Sequence, residues 1–549
     1  MSGVSAGFSL LDEPWVLVRT GSHGAEEVSL RDLFRRASEI GEIVGDVPTQ
    51  GFAILRLALA VLHRALGGPR DERAWDALWA REEPPVDVID AYFDRYSERF
   101  DLFHPRAPFF QVAGLHTARN EFSGLEILIA DVPPGHPYFT TRIGRGIERI
   151  TAAEAARWLV HLQAFDISGI KSGAVGDARV KGGRGYPIGT GWAGNLGGLY
   201  VAGENLWQTL VLNAIPYDQP SLAVFGTRDR PAWEAEPPDG PSEDPDVVLR
   251  PYGPTDLYTW QSRRVLLKGD RDGVTGVVVA NGDKLTPQNR WRFEPMTAWR
   301  RSEAQQKKLG QDLVYMPLAH VPARAMWRGL SSLLPLVAPR GKADGGQRYV
   351  TASVVEWAAR QLGARRKVTL RAIGMAYGTM NAKIDDIIDD RLFVSTAVLS
   401  PTDPAIPQTV IEAIEASEAA VSALRNLASN LVRAAGGSDS TLSDGARARA
   451  AEQAYAAFDV PFRRWLADLS PDVDSVEARS DWYRQARRIV RRLGADLVNA
   501  APPDAWVGRV VNNRRITTPE ADGWFQAAVA TALPLPDSDS PATPEEISV

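Results

Sequence analysis

Apolar residues recur along this chain at two different periods, and the places where the period changes outline its organisation. In QGFAILRLALAVLHRAL (50–66) they follow helical spacing on nearly every face, which predicts a buried helix. ITAAEAARWLVHLQAF (150–165) is amphipathic with the same period, and Thr151 with Glu154 reads as a capping box. Further helices are expected from near Ser29 to before Gly41, through 73–100, and over 204–215, 321–334, 350–362 and 383–391. Strand character is confined to 9–18 (SLLDEPWVLV) and to 255–300, where VTGVVVANG (274–282) suggests a hairpin. HPRAPFFQV (104–112) breaks into a Pro-rich loop, and the Pro- and Asp-dense segment 216–254 reads as a long exposed one. After LSPTDPAIPQ (399–408) the pattern is almost wholly helical, with candidates at 408–434, 443–468, 475–499 and 518–533. The fold class expected is α+β: a mixed domain over 1–400 followed by a four-helix bundle over 401–549.

One stretch resists this description. SGIKSGAVGDARVKGGRGYPIGTGWAGNLGG (168–198) is crowded with glycine and carries Lys171, Arg179, Lys181 and Arg184. Glycine weakens helices and strands, so such density is destabilising unless something must approach the backbone closely. That something is either an external ligand or the protein's own core, and both readings stay open here.

Composition narrows the chemistry. A chain of 549 residues exceeds a single core. It has no cysteine, which excludes disulfides, thiolate metal sites and cysteine nucleophiles. The seven histidines are scattered with no i, i+4 pair, so neither a metal nor any other cofactor is expected. No apolar run reaches membrane-spanning length and the N-terminal residues lack a signal pattern, so no membrane partner and a cytoplasmic location are expected. The net charge of −6 argues against binding nucleic acid by bulk electrostatics. Basic residues nevertheless cluster locally: Arg142, Arg145 and Arg149; Lys181 and Arg184; Arg263 and Arg264; Arg365, Arg366 and Lys367. In the third bundle helix Arg484, Arg487, Arg488, Arg491 and Arg492 fall at helical spacing and form a basic stripe.

Motifs of catalysis lack their context. GVSAG (3–7) has neither the strand before nor the helix after that a nucleophile elbow needs. GTGWAG (189–194) has no preceding strand, no helix opening at the right place, and a bulky Trp192 inside the loop. The pairs Asp385–Asp386 and Asp389–Asp390 would share a helix face at i, i+4, where they could hold a cation, but they are read here as a solvated face. No catalytic residue is assigned, and the chain does not read as an enzyme.

FSLLDEPWVLV, VSLRDLF (28–34) and IGEIVGDVPTQGFAILRLALAVLHRAL (40–66) closely resemble the CasA family, the large subunits of the type I-E CRISPR surveillance complex Cascade. HPRAPFFQV, GIKSG (169–173), MTAWRRSEAQQKKLG (296–310), IGMAYGTMNAKIDD (373–386) and the terminal bundle follow in family order, so the resemblance covers nearly the whole chain. It implies a non-enzymatic subunit that reads the protospacer-adjacent motif (PAM) of double-stranded target DNA and initiates unwinding. It implies stabilisation of the displaced strand and recruitment of a helicase–nuclease. The other partners implied are the guide RNA and the remaining Cascade subunits.

By that resemblance the glycine loop at the minor groove is Ser168, Gly169 and Gly173, with serine where glycine is familiar, and Lys171, Lys181 and Arg184 lie near phosphates. The strand-separating wedge is Met380, Asn381 and Ala382, with asparagine in place of the family's glutamine. A lysine finger on a hairpin is Lys284 in VVVANGDKLTPQN, with Lys268 as the alternative. A basic aromatic loop contains Tyr138, Phe139, Arg142 and Arg145. The stripe of Arg484, Arg488 and Arg491 is assigned to displaced or flanking DNA on its charge alone. Rival classes are a protein-docking scaffold without DNA reading and a nucleotide-binding enzyme using the glycine loop.

Overall fold

Alternation at VLVRT makes β1 (Val16–Thr20), which buries Val16 and Val18 and pairs antiparallel with β2 (Ala25–Val28) and β3 (Ile40–Ile43). Between them α1 (Leu30–Arg35) starts where the Ser29 hydroxyl accepts the Asp32 N–H at 3.1 Å. It stops well before Gly41 because Ile40 and Ile43 are recruited to the sheet. The computed structural model describes residues 7–21, 24–132, 148–334, 348–400, 403–437, 440–511 and 514–535.

The expected buried helix is α2 (Pro48–Leu66), in which every residue from Thr49 to His63 is buried. Pro48 opens it and Gly67, at φ 67°, closes it in the left-handed conformation. The helical reading of 73–100 resolves into α3 (Glu72–Trp79), α4 (Val86–Arg95) and a 3₁₀ turn, separated at Pro84–Pro85. α5 (Ala152–Phe165) begins at Thr151, whose hydroxyl accepts the Glu154 N–H at 3.1 Å. The glycine stretch holds three two-residue strands, β4 (Lys171–Ser172), β5 (Val180–Lys181) and β6 (Arg184–Gly185), in the order β4-β6-β5. Then come β7 (Gly198–Ala202), α6 (Leu206–Asn213), α7 (Pro254–Tyr258) and the hairpin of β8 (Arg263–Asp270) with β9 (Gly273–Asn281). A small sheet of β10 (Trp299–Arg301), β11 (Tyr315–Pro317) and β12 (Tyr349–Val350) flanks α8 (Glu303–Leu309) in sequence. α9 (Ser353–Leu362) leads to β13 (Lys367–Tyr377) and β14 (Ile384–Ser395), which join β7 in the order β14-β13-β7.

Three expectations are corrected. The helix expected over 383–391 is instead strand from Ile384 on, part of β14, because the hairpin with β13 overrides the local pattern; its aspartates therefore do not line a helix face. The segment 216–254 is irregular but not simply exposed: Trp233 is buried against Phe100, Phe109 and Phe110, and Glu234 pairs with Arg64. The helix expected at 321–334 is a 3₁₀ turn, Met326–Ser332.

Two compact units result. The first comprises the described residues within 1–324, 340–361 and 368–391, and the second those within 325–339, 362–367 and 392–549. In the second, α10 (Ala405–Ala434), α11 (Ser440–Asp468), α12 (Ser475–Asn499) and a later helix, α14 (Thr518–Ala532), pack together. Before α14 come α13 (Pro503–Val507) and a hairpin of β15 (Arg509–Val511) with β16 (Arg514–Ile516). Trp482 fills the bundle centre against Phe458 and Phe462, and its indole N–H donates to the Ser417 hydroxyl at 2.9 Å. Trp327, from the 3₁₀ turn, stacks on Phe462 at 4.2 Å, so this core extends beyond the terminal helices.

The first unit contains a dry ion pair. Arg56 on α2 and Glu294 are 2% and 0% exposed and share two hydrogen bonds of 2.8 and 2.7 Å. The same carboxylate accepts the Trp192 indole N–H at 2.7 Å and the Met296 N–H at 3.1 Å, so the glycine stretch is anchored to α2 through it. Removing one partner strands the other without water. Arg56→Ala is therefore expected to destabilise this unit by about 3–5 kcal/mol, read as a shift in its urea midpoint.

Candidate nucleic-acid interface

Charge at the C-terminal end of α5 fixes the start of the glycine stretch. The buried Asp166 carboxylate accepts from Lys171 Nζ at 2.6 Å and from Arg263 Nε. Burial alone pushes Asp166 up, but Lys171 and Arg263 outweigh it and hold the carboxyl below its ordinary range. Lys171 is itself lowered, first by burial and against the pull of Asp166. Arg263 also donates to the Ile167 carbonyl at 3.1 Å and the Gly189 carbonyl at 2.7 Å, so a single guanidinium holds two distant points of the stretch. Two expectations are corrected here. Lys171, 7% exposed, is directed inward and its ammonium is taken up by Asp166 in a structural cluster. Arg263 and Arg264 are likewise buried, paired with Asp166 and Asp283, and make no surface patch.

Most glycines of the stretch answer to the fold. A Cβ at Gly173 would meet the Gly183 carbonyl oxygen at 2.3 Å, and one at Gly191 would meet the Ala164 carbonyl at 2.5 Å. Gly194 is closed by the Tyr377 hydroxyl, Gly197 by the Leu318 carbonyl and Gly198 by the Ile373 carbonyl. Gly176, Gly182, Gly183 and Gly189 have positive φ, and Gly185 is tight against Asn281. GTGWAG is thus a packed turn with Trp192 buried inside, not a phosphate cradle. Gly169 differs from all of these. Its φ is ordinary, and a Cβ there would touch only the Ile167 side chain, at 3.6 Å. Nothing among the described residues explains that glycine.

The turn between β13 and β14 lies against the same point. The Ser168 N–H donates to the Asn381 carbonyl at 2.7 Å, bringing the start of the glycine stretch to the expected wedge. The turn is tight: the Ala382 N–H returns to the Thr379 carbonyl, and Met380 and Asn381 both take positive φ, 57° and 56°. This is the conformation of a type I′ hairpin turn, which favours asparagine and glycine and strains a long side chain. Met380 is nevertheless there, 84% exposed. Exposed Ile170 and Tyr186, with exposed Lys181 and Arg184, belong to the glycine stretch itself.

The hairpin expected around VVVANGDKLTPQN is displaced. The β8–β9 turn is at Arg271–Asp272, whereas Asn281 and Gly282 anchor the hairpin base. Asn281 donates to the Tyr186 carbonyl at 2.6 Å, and the Gly282 carbonyl accepts from Arg179 at 2.8 Å, which makes Arg179 structural. Exposed Lys284 follows directly, its N–H held by Glu243 at 2.7 Å, at the end of the hairpin that touches the glycine stretch. Lys268 is five residues along β8 from Arg263, about 17 Å away by strand rise, and packs over Phe122. Tyr138, Phe139, Arg142 and Arg145 lie outside the described residues, as does nearly all of GVSAG. In the second unit Arg484, Arg488 and Arg491 are exposed along α12, spread over about 10 Å. Sequence reasoning missed the Asp166–Arg263 clamp, although Asp166 ends a well-marked helix and Arg263 sits in an unusual Arg–Arg pair. Among the described residues no helix is long and apolar enough to cross a membrane.

Comparison with known proteins agrees over the whole architecture. Residues 9–493 match the family described as CRISPR-associated protein Cse1. The CRISPR-associated protein CasA/Cse1 of Thermus thermophilus is 29% identical over 435 residues, 78% of either chain. The crystal structure of Thermobifida fusca Cse1 superimposes with a TM-score of 0.89 at 45% identity, covering 97% of this chain and 99% of that one. Cse1 from Acidimicrobium ferrooxidans follows with a TM-score of 0.81 at 31% identity, covering 96% and 98%. With its mixed first unit, its helical second unit and a match running from residue 9 to residue 493, the chain belongs to the CasA/Cse1 family of CRISPR-associated proteins.

Proposed function

We propose that this chain is the large subunit of a type I-E Cascade complex, acting in the cytoplasm in defence against invading DNA. In this reading it recognises the PAM in double-stranded DNA from the minor groove, opens the first base pairs, and recruits a helicase–nuclease to the R-loop without catalysis of its own. The observation that carries the reading is the Ser168 N–H to Asn381 carbonyl bond. It sets Gly169, a glycine that nothing among the described residues requires, beside Met380, a strained and exposed side chain. A bare backbone suits a groove only about 6 Å wide, and an apolar tip suits the gap between unstacked base pairs. Lys181 and Arg184 supply phosphate contact, and Lys284 supplies the finger.

The experiment is reconstitution with sister subunits and guide RNA, followed by gel shifts on duplexes with and without the PAM. Loss of binding on PAM scrambling is expected only when this chain is included. PAM-independent binding would leave it a docking scaffold.

The α12 stripe serves the displaced strand in this reading. Charge reversal at Arg484 and Arg488 is expected to weaken R-loop formation and to reduce the slope of log affinity against log salt by about 1.4, at roughly 0.7 per single-strand phosphate. An unchanged slope across several salt concentrations assigns the stripe to solvent or to protein.

A further inference from the structure

The Tyr377 hydroxyl occupies a place cleared for it. Tyr377 is the last residue of β13, three positions before Met380 in the turn. Its hydroxyl donates at 2.6 Å to the Phe165 carbonyl, the last one of α5. That carbonyl is among those a helix end leaves without a partner of its own. On the other side stands Gly194, where a Cβ would fall 2.3 Å from the hydroxyl oxygen and 3.0 Å from the ring carbon that bears it. The bare backbone at Gly194 is what admits the hydroxyl. Burial pushes the phenol well above its ordinary pKa, so the group keeps its proton and donates.

This bond joins two segments that also meet a second time, through the Ser168 N–H and the Asn381 carbonyl at 2.7 Å. A single attachment is a pivot about which a hairpin tip can swing. Two attachments at separated points fix its direction as well, and Met380 lies between them in sequence. The opposite side of the joint, 165–168, is itself held. The Asp166 carboxylate is taken by Lys171 and Arg263, the Asp166 carbonyl by the Gly191 N–H at 2.9 Å, and the Ile167 carbonyl by Arg263 at 3.1 Å. Gly169 is the first residue beyond that fixed base.

We infer that Tyr377 is a positioning residue, which sets the direction of the Met380 tip relative to Gly169 and so couples DNA reading at one to base-pair opening at the other. The inference rests on the proposed function for what Gly169 and Met380 touch. Successive bases of a strand rise about 3.4 Å along the duplex, so a tip that swings by that much enters at the wrong step. Functional groups of this kind need to be held within about 0.5 Å and 10–20° by side chains locked through packing and hydrogen bonds. Tyr377 meets that need from inside the chain, between the end of α5 and Gly194, and acts through Met380 rather than on DNA itself.

The test compares wild type, Tyr377→Phe and Gly194→Ala in the complex reconstituted with sister subunits and guide RNA. Gel shifts on PAM-containing and PAM-scrambled duplexes measure reading. Fluorescence of a base analogue beside the PAM measures opening, on matched and on pre-opened duplex. Tyr377→Phe removes one oxygen and keeps the ring. It should bind PAM duplex within about twofold of wild type yet open matched duplex about fivefold more slowly, the factor that one hydrogen bond of ordinary net strength is worth in a rate. Pre-opened duplex should show no slowing. Gly194→Ala crowds the same hydroxyl from the other side and should give the same split. Combined with Tyr377→Phe it should slow opening by less than the product of the two single effects, because both act on one bond. Equal losses of binding and opening overturn the inference, since Tyr377 then only caps α5. Opening of matched duplex at the wild-type rate by Tyr377→Phe overturns it too. If Tyr377→Phe does not assemble with the sister subunits, Gly194→Ala decides by the same criterion. Wild type that binds PAM and scrambled duplexes alike removes the proposed function and the inference together, whereas the other outcomes leave PAM reading standing.

Discussion

Replacing Met380 and Asn381 together by glycine is expected to slow unwinding of a matched duplex ten- to a hundredfold while leaving unwinding of a pre-opened one within threefold. The range follows from the few kcal/mol needed to unstack a base step, part of which an inserted side chain offsets, at 1.4 kcal/mol per tenfold. Usually a double substitution invites the objection that the fold has been damaged. Here the backbone answers it. Both residues sit at positive φ in a hairpin turn, a conformation that is strained by roughly 1–2 kcal/mol for a side chain and free for glycine. Met380 makes no core contact to lose, being 84% exposed. The variant's melting temperature should be unchanged or higher, and its assembly with sister subunits intact. Measured by stopped-flow fluorescence of a base analogue beside the PAM, equal slowing on closed and pre-opened DNA would reject strand separation. Unchanged rates on both would return the turn to a structural role.

What the sequence disclosed and what it hid follow one physical division. α2, α5 and the bundle helices were legible because their apolar period is sustained over many residues and needs no distant partner to be read. β14 was not. IDDIIDDR satisfies a helical pattern locally, and only the pairing of 384–395 with β13 makes it a strand. Asn281–Gly282 carries the strongest short turn signal, yet tertiary contacts use it as an anchor: a Cβ at Gly282 would meet the Gln261 carbonyl at 2.3 Å. Positive charge was legible as composition but not as function. Lys171 and Arg263 are engaged by Asp166, Arg179 by Asp177 and Arg264 by Asp283, leaving Lys181 and Arg184 as the outward pair of the stretch. Glycine density pointed to the right region for a mixed reason. Most of its glycines serve turns and packing, and the reading of a backbone kept bare for a ligand narrows to Gly169.

That narrowing yields the sharpest expectation. Gly169→Asp is expected to reduce affinity of the reconstituted complex for PAM-containing duplex by about a hundredfold or more, with the fold unchanged. A carboxylate held some 4–5 Å from a phosphate in a partly screened site opposes binding by roughly 3–4 kcal/mol. Gly169→Ala adds only a methyl group and should lower affinity about tenfold, if a tight contact resists overpacking here as it does in cores. Neither change should disturb the chain itself, because the nearest atom to a Cβ at this site is an Ile167 methyl at 3.6 Å, an ordinary contact. Gly173→Ala is the control with the opposite expectation. Its Cβ would fall 2.3 Å from the Gly183 carbonyl oxygen, so it should lower thermal stability, and binding only as a consequence. Thermal melting of the free chain and gel-shift titration of the complex separate the two effects. If Gly169→Asp binds PAM duplex as tightly as wild type, no DNA backbone lies at Gly169. If instead Gly169→Asp melts early as Gly173→Ala does, that glycine too belongs to the fold.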